Sequence, residues 1–489
     1  MSWTQVRRAA VAAVGLQTAG LVGLGTLLYG RFMESVDFGI FAQAFVLIGR
    51  GDLDPQSTLK HGSYLTSHFE LIMWPLSLLS WVTPGAVALV WIQALALGGC
   101  GIVVALWSAQ LLEDRGLSPR WGAVALAGVV VMVVVNQVAW RTVAEDFHFE
   151  PLAGLLVLLA ARDLLGGRSR RMWAFVVLCL LCGDVPALLV VGLGITGLLT
   201  RGRRRLGGLV LLAGVAWLGL IGLVGANHAS HLSDYGYLAG TTLHPGLSGL
   251  VHLALGLVAH PGHVASVLAH RAGLELVALR AGGVLGILAP LGLGAPLIVL
   301  SSAGLEAHVD YLRSGFQLAP AIPLLLVGTV MVLLVGSRQL PSRGQVAPRL
   351  AGVAGAVLVG SSLALSASPS TWLLTSSANP TLLSAEVASG LDRALAATPA
   401  DAQVIAQVQV VGRFAERRSV QWAFFGAARQ LPIQSSCVVL VVLRSPGSPE
   451  NATLARLRRQ GARVLVDGDG VEAVRWHPPA GQRHLRVAP

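Results

Sequence analysis

The sequence predicts a polytopic α-helical membrane protein of about eleven membrane helices, with a small C-terminal α/β domain outside the membrane. Three observations predict it. The 489 residues are 54% hydrophobic and 12% charged, with a mean hydropathy of +0.69, more apolar surface than one soluble core buries. The apolar runs are separated by short arginine-rich loops, and from residue 368 the composition becomes that of a soluble domain. A net charge of +11 would suggest nucleic acid in a soluble protein. Here the arginines fall between spans, as the positive-inside rule requires, so no nucleic-acid partner is expected.

Runs of roughly 17 to 25 apolar residues qualify as crossings, and the arginines orient them. Span one covers 9–30, with Arg7 and Arg8 inside, and reads as a retained anchor because no cleavage signature follows it. A long outer segment, 31–83, comes next; its apolar stretch 68–81 is too short to cross and is expected to lie in the interface or re-enter. Span two is 84–111. Spans three (121–139) and four (150–165) enclose an outer turn from Trp140 to His148. The run 172–200 lies between two arginine clusters and must begin and end inside, so it reads as two short helices meeting at Gly183-Asp184-Val185-Pro186. Span seven, 206–226, leads into a long outer loop, 227–274. A second helical pair, 275–289 and 290–304, turns near Pro290 and Pro296, and the last spans are 317–336 and 350–366. The transmembrane domain is therefore 1–367 and the outer domain 368–489. In the outer domain, helices are expected at 382–396 and 449–460 and strands at 402–410, 437–443, 462–466 and 471–476.

Four cysteines make no disulfide framework, and Cys179 and Cys182 read as small hydrophobes of a membrane helix. The acids test the topology independently. In the membrane part Glu113, Asp114 and Asp163 fall inside, whereas Asp37, Glu70, Glu145, Asp146, Glu150, Asp184 and others fall at or near the outer side. Polar chemistry is expected there. An acid where a helix leaves the bilayer is costly unless it is used, which singles out Asp37.

A transferase acting on a hydroxyl needs a carboxylate base, and a phosphate-linked donor needs cations or a metal to stabilise the leaving phosphate. Asp37, Asp146 and His148 are the candidate catalytic residues, and the same three could hold a divalent metal such as Mg or Mn. Lys60, the single lysine, with Arg141 and Arg313 supplies outer cations for a phosphate. His68, Glu70 and Asp184 complete the outer polar inventory. Plainer roles compete with each: Asp37 as a helix N-cap, Asp146 and His148 as interfacial turn residues, Asp184 as the cap of the second half-helix. The histidines between 228 and 270 read as surface residues rather than a metal site.

Several segments resemble a bacterial family of predicted membrane proteins of unknown function placed near the GT-C glycosyltransferases. They are Asp37-Phe38-Gly39-Ile40-Phe41-Ala42-Gln43, His68-Phe69, Gln93, Asp146-Phe147-His148, Gly183-Asp184, Tyr311 with Ala319-Pro320-Ala321-Ile322-Pro323, and 402–418. The resemblance implies a GT-C-like fold in the plasma membrane of a bacterium, where the loop arginines put the N-terminus in the cytoplasm and the C-terminal domain outside. It also implies transfer of a sugar from a polyprenyl-phosphate-type, lipid-linked donor to a cell-envelope glycan or protein acceptor, with Asp37 as the catalytic or metal-binding acid. Gln43 and Tyr311 join the substrate-binding candidates on the same ground. Two departures stand out: Asp37 has no adjacent acid, and Glu70 follows His68-Phe69 where a proline is expected. The rival readings are a transporter, using the two helical pairs as its substrate path, and a noncatalytic scaffold that binds a partner through its outer domain.

Overall fold

The structure, a computed structural model, describes residues 1–224, 233–244, 246–305, 315–335, 383–423, 429–444 and 450–487. Among these the chain is mostly helical, with a small C-terminal sheet domain. Five helical stretches are long and apolar enough to cross a membrane: Trp3–Gly30, Val87–Asp114, Pro119–Ala144, Arg204–Val224 and Gly315–Leu334. A sixth arises if Ser248–Ala259 and Pro261–Arg271, bent by 88°, count as one broken span. The chain is thus a multi-pass membrane protein, and the count of eleven is not reproduced among the described residues. The expected span 350–366 lies outside them.

In chain order the elements begin with α1 (Trp3–Gly30) and α2 (Val36–Gly49). The hairpin β1 (Gln56–Ser57) and β2 (Gly62–Ser63) follows, with short helices α3 (Tyr64–His68) and α4 (Met73–Ser77). Next come α5 (Val87–Asp114), α6 (Pro119–Val134), α7 (Gln137–Ala144) and α8 (Glu150–Gly166). The run 172–200 is indeed a helical pair, α9 (Ser169–Leu180) and α10 (Asp184–Leu199), broken where Gly183 takes φ +123°. Then follow α11 (Arg204–Val224), α12 (Gly236–Ala239), α13 (Leu247–Ala259), α14 (Pro261–Gly282), α15 (Ala295–Leu305), α16 (Gly315–Leu318) and α17 (Ala321–Val335).

Two expected loops are corrected. The described part of 227–274 is largely helical, as α13 and most of α14. Its histidines disguised an apolar run, yet His252 and His270 simply set Nδ1 2.7 Å from the Ser248 and Ser266 carbonyl oxygens one turn back. The helix expected to begin at 275 therefore begins at Pro261 and stops at Gly283, and the partner starts only at Ala295. The segment 31–83 is not a plain loop either: α2 buries every residue from Phe38 to Ile48.

The chain forms two compact units, and they differ from a single cut at residue 368. One comprises Met1–Gly23, Thr66–Ile72 and Ile92–Leu373; the other comprises Leu24–Leu65, Met73–Trp91 and Leu374–Pro489. In the first, α8 to α11 pack together, and α10 and α11 touch backbone to backbone: a Cβ on Gly197 would lie 2.6 Å from the Cα of Gly207. In the second, the strands are β3 (Gln403–Gln407), β4 (Val420–Ala423), β5 (Arg429–Pro432), β6 (Val438–Leu443), β7 (Arg463–Gly468), β8 (Val471–Trp476) and β9 (His484–Val487). Five form a sheet in the order β4-β3-β6-β8-β7; β3 runs parallel to β4 and β6, and β8 antiparallel to β6 and β7. β5 and β9 pair separately. Ile405, Leu440, Val474 and Trp476 form the core with Leu454 and Leu457 of the helix Glu450–Arg459. The expected helices and four strands are present; β4, β5 and β9, each four residues long, are additions.

Candidate functional site

In the first unit the site is built on a break between α6 and α7. The helix stops at Val134, and the carbonyls it frees find side-chain donors: Gln17 Nε2 to Val133 O at 2.7 Å and Trp140 Nε1 to Val134 O at 2.9 Å. Asn136 restarts the helix by accepting the Val138 N–H, and its Nδ2 donates to the Ala281 carbonyl. α7 then delivers the turn 145–149. Phe147 and Phe149 are buried edge to face, with ring centroids 4.9 Å apart. The alternation leaves Asp146 and His148 half-buried on the other side of the turn.

Gln93, buried on α5, pins this turn from both ends. Its Oε1 accepts the His148 N–H at 2.8 Å and its Nε2 donates to Thr142 O at 2.7 Å. The His148 ring stacks on Phe316 with centroids 3.5 Å apart. Arg141 Nε donates to Glu145 Oε1 at 3.2 Å, while Glu145 Oε2 accepts the Gly315 N–H at 2.5 Å and the Phe316 N–H at 3.3 Å. Glu145 thus ties the turn to α16, a role its place in the acidic turn did not single out.

Burial pushes the Glu145 carboxyl up from 4.5 to about 7, against the opposing pull of Arg141 and the two backbone donors. Because the folded state then holds a proton that the unfolded chain releases near 4.5, the stabilisation from Glu145 is complete below that pH and is lost as pH rises through about 7. The thermal midpoint should fall across this window in the wild type. Glu145→Gln should flatten that part of the profile, and an unchanged slope would refute it.

Asp184 opens α10, its Oδ1 accepting the Val185 N–H at 2.9 Å. The neighbouring Ile72 N–H donates to the Leu181 carbonyl at 2.9 Å, which ties the segment carrying His68 and Glu70 to the tip of the helical pair. Phe69 packs on Trp217, with ring centroids 5.9 Å apart. Tyr311 and Arg313 lie outside the described residues.

The second unit holds Asp37, Gln43 and Lys60. Asp37 is exposed in the first turn of α2, directly before the buried run, where the helix dipole favours an anion. Gln43 is fully buried and its amide is engaged throughout. Oε1 accepts the Thr58 N–H at 3.0 Å, and Nε2 donates to Thr58 Oγ1 at 3.0 Å and to the Arg417 and Arg418 carbonyls at 3.0 and 3.2 Å. Lys60 is exposed at the tip of the β1–β2 hairpin.

The segment 411–419, between β3 and β4, holds the end of α1 and the link from α1 to α2 in several ways that sequence reasoning missed. The Gly412 N–H donates to Glu34 O at 3.1 Å, and a Cβ at Gly412 would lie 2.6 Å from that oxygen. Arg413 stacks over Tyr29 and Phe32, while Glu416 Oε1 accepts from Tyr29 Oη at 2.5 Å and from the Ala86 N–H at 2.8 Å. Among the described residues no group of three or more His, Cys, Asp or Glu comes together to hold a metal ion. Asp146 and His148 belong to one unit and Asp37 to the other.

No curated protein matches the chain. Among solved structures it is similar to ArnT from Cupriavidus metallidurans bound to undecaprenyl phosphate, at 12% identity and a TM-score of 0.43, over 94% of this chain and 97% of that one. The family model described as "Predicted membrane protein (DUF2079)" matches residues 28–460. The chain therefore belongs to the DUF2079 family of predicted membrane proteins.

Proposed function

We propose that this protein is a GT-C-type membrane glycosyltransferase, moving a sugar from a polyprenyl-phosphate donor to a glycan or protein acceptor on the outer side of a bacterial plasma membrane. The observation that carries the reading is the braced acid–imidazole turn: Asp146 and His148 ride on backbone fixed by Gln93, Phe147 and Phe149 beside apolar helices. Groups held in one place are what proton transfer and charge stabilisation require, because their reorganisation cost is met on folding.

In this reading Asp37 takes the proton from the acceptor hydroxyl, and Asp146 and His148 serve as further catalytic residues. Arg141 or Arg313 binds the donor phosphate, and Lys60, His68, Glu70, Asp184 and Tyr311 are the proposed substrate-binding residues. Gln43, whose amide is committed to Thr58 and the 417–418 carbonyls, supports α2 from within. Asp146 and His148, both of the turn in the first unit, are the residues that would hold Mg or Mn. The N-terminus lies in the cytoplasm and the C-terminal domain outside.

The test is purified wild-type protein offered a panel of polyprenyl-phosphate sugars, with appearance of labelled acceptor as the readout. At least one donor should give transfer that needs the folded protein. Solute counterflow in liposomes without any transfer would replace this reading with a transporter.

A further inference from the structure

We propose that the loops joining α8 to α9 and α10 to α11 together form a binding site for the dianionic headgroup of a phospholipid of the cardiolipin class. The α8–α9 junction carries Arg168 with Arg170 and Arg171 in the first turn of α9; the α10–α11 junction carries Arg201 and Arg203 with Arg204 and Arg205 opening α11. The positive-inside rule accounts for arginines in each loop separately. It does not account for the convergence of the two. Arg203 Nη2 donates to the Leu165 carbonyl at 3.2 Å, and a Cβ on Gly167 would lie 2.8 Å from the same nitrogen. One turn away, a Cβ on Gly197 would meet both Gly207 and, at 3.4 Å, the Leu164 side chain. The end of α8, the end of α10 and the start of α11 therefore meet at one level.

One acid answers this charge among the described residues. Asp163, 1% exposed, pairs with Arg168 at 3.2 Å and Arg171 at 3.0 Å. Arg170, Arg201, Arg204 and Arg205 are exposed and make no side-chain hydrogen bond or ion pair among the described residues. A guanidinium fork matches a phosphate bidentately, and two linked phosphates can engage both loops at once. Basic pockets at the ends of membrane helices are suited to such headgroups. A lipid rather than a free phosphate is favoured by what flanks the arginines. Leu198 and Leu199 of α10 and Leu209 and Leu212 of α11 are exposed apolar side chains, placed where acyl chains would lie.

The experiment measures binding of cardiolipin and of phosphatidylcholine to purified full-length protein in an uncharged detergent, across a sodium chloride series. Wild-type protein should prefer cardiolipin by at least about 100-fold at low salt, the preference shrinking steeply toward 1 M salt. Equal binding of the two lipids, or a salt-independent preference, overturns the proposal. R170Q/R201Q/R204Q/R205Q should abolish the preference, and lysine at the same positions should keep part of it. A glutamine variant that folds and binds cardiolipin like wild type also overturns it. Should that variant fail to fold, the wild-type salt series decides. Inorganic phosphate at matched phosphate concentration should not displace the lipid; displacement would assign the site to a soluble phosphate instead.

Discussion

Replacing Asp37 by Asn should lower sugar transfer by about 10²- to 10⁴-fold, the range typical of removing a general base. The substitution keeps size and hydrogen-bonding shape and removes only the charge and the proton-accepting ability. Asp37 is exposed in the first turn of α2, where the helix dipole favours its charge by about 0.3–1 kcal/mol. The thermal midpoint and the elution profile of the variant should stay close to wild type while turnover collapses. Full transfer by Asp37→Asn would remove the base assignment and leave Asp37 a helix-start residue. Should kcat stay unchanged while only KM rises, Asp37 binds substrate rather than drawing off the proton.

Gln43→Leu should unfold the second unit at markedly lower temperature, with a loss of about 3–5 kcal/mol. The estimate follows from what the leucine abandons: the Thr58 N–H and the carbonyls of Arg417 and Arg418 lose their amide partner in a buried place, at about 1–3 kcal/mol for each group left unsatisfied. Limited proteolysis should then cut within 411–420 far faster than in wild type. Gln43→Glu separates packing from hydrogen bonding, since its carboxylate retains acceptance from Thr58 but cannot donate to the two carbonyls. Wild-type protease resistance in Gln43→Leu would show that the amide network carries little of the stability.

The legible parts of the fold were those in which one local signal sufficed. The helical pair at 172–200 follows from arginines at both ends and a Gly-Asp-Val-Pro break between them, and α9 and α10 have that form. The strands β3, β6, β7 and β8 follow from runs of valine, leucine and alanine between turns. The misread parts depend on partners distant in sequence. No local pattern shows that α2 is a buried helix of the unit containing the C-terminal sheet, because its partners, Gly412, Ala415 and the 417–418 carbonyls, are more than 360 residues away. Histidine hid α13 and α14 because a polar residue on an apolar run reads as loop, although its helix propensity is ordinary.

The candidate site divides in the same way. The acidic turn 145–150 is visible as a polar interruption between apolar runs, and its residues stand where that interruption places them. What makes it a site, Gln93 bracing both ends and Glu145 reaching the Gly315 and Phe316 amides, joins residues 49 to 55 and 170 to 171 positions apart and leaves no periodic trace. A glutamine inside an apolar span was a usable signal: in hydrocarbon its amide needs partners, and here they are the turn.

The composition of the second unit carries a consequence for biogenesis. Its early segments, ending at Trp91, are completed by residues from Leu374 onward, so roughly 280 residues must be synthesised between them, about 15–60 s at ordinary ribosomal speed. Throughout that interval α2 lacks its late partners, Gly412, Ala415 and the 417–418 carbonyls, while the helices encoded between are being handed to the membrane. The second unit is therefore completed only when the last quarter of the chain emerges. Truncation anywhere before residue 374 should therefore yield protein that is inserted yet cleared by quality-control proteases.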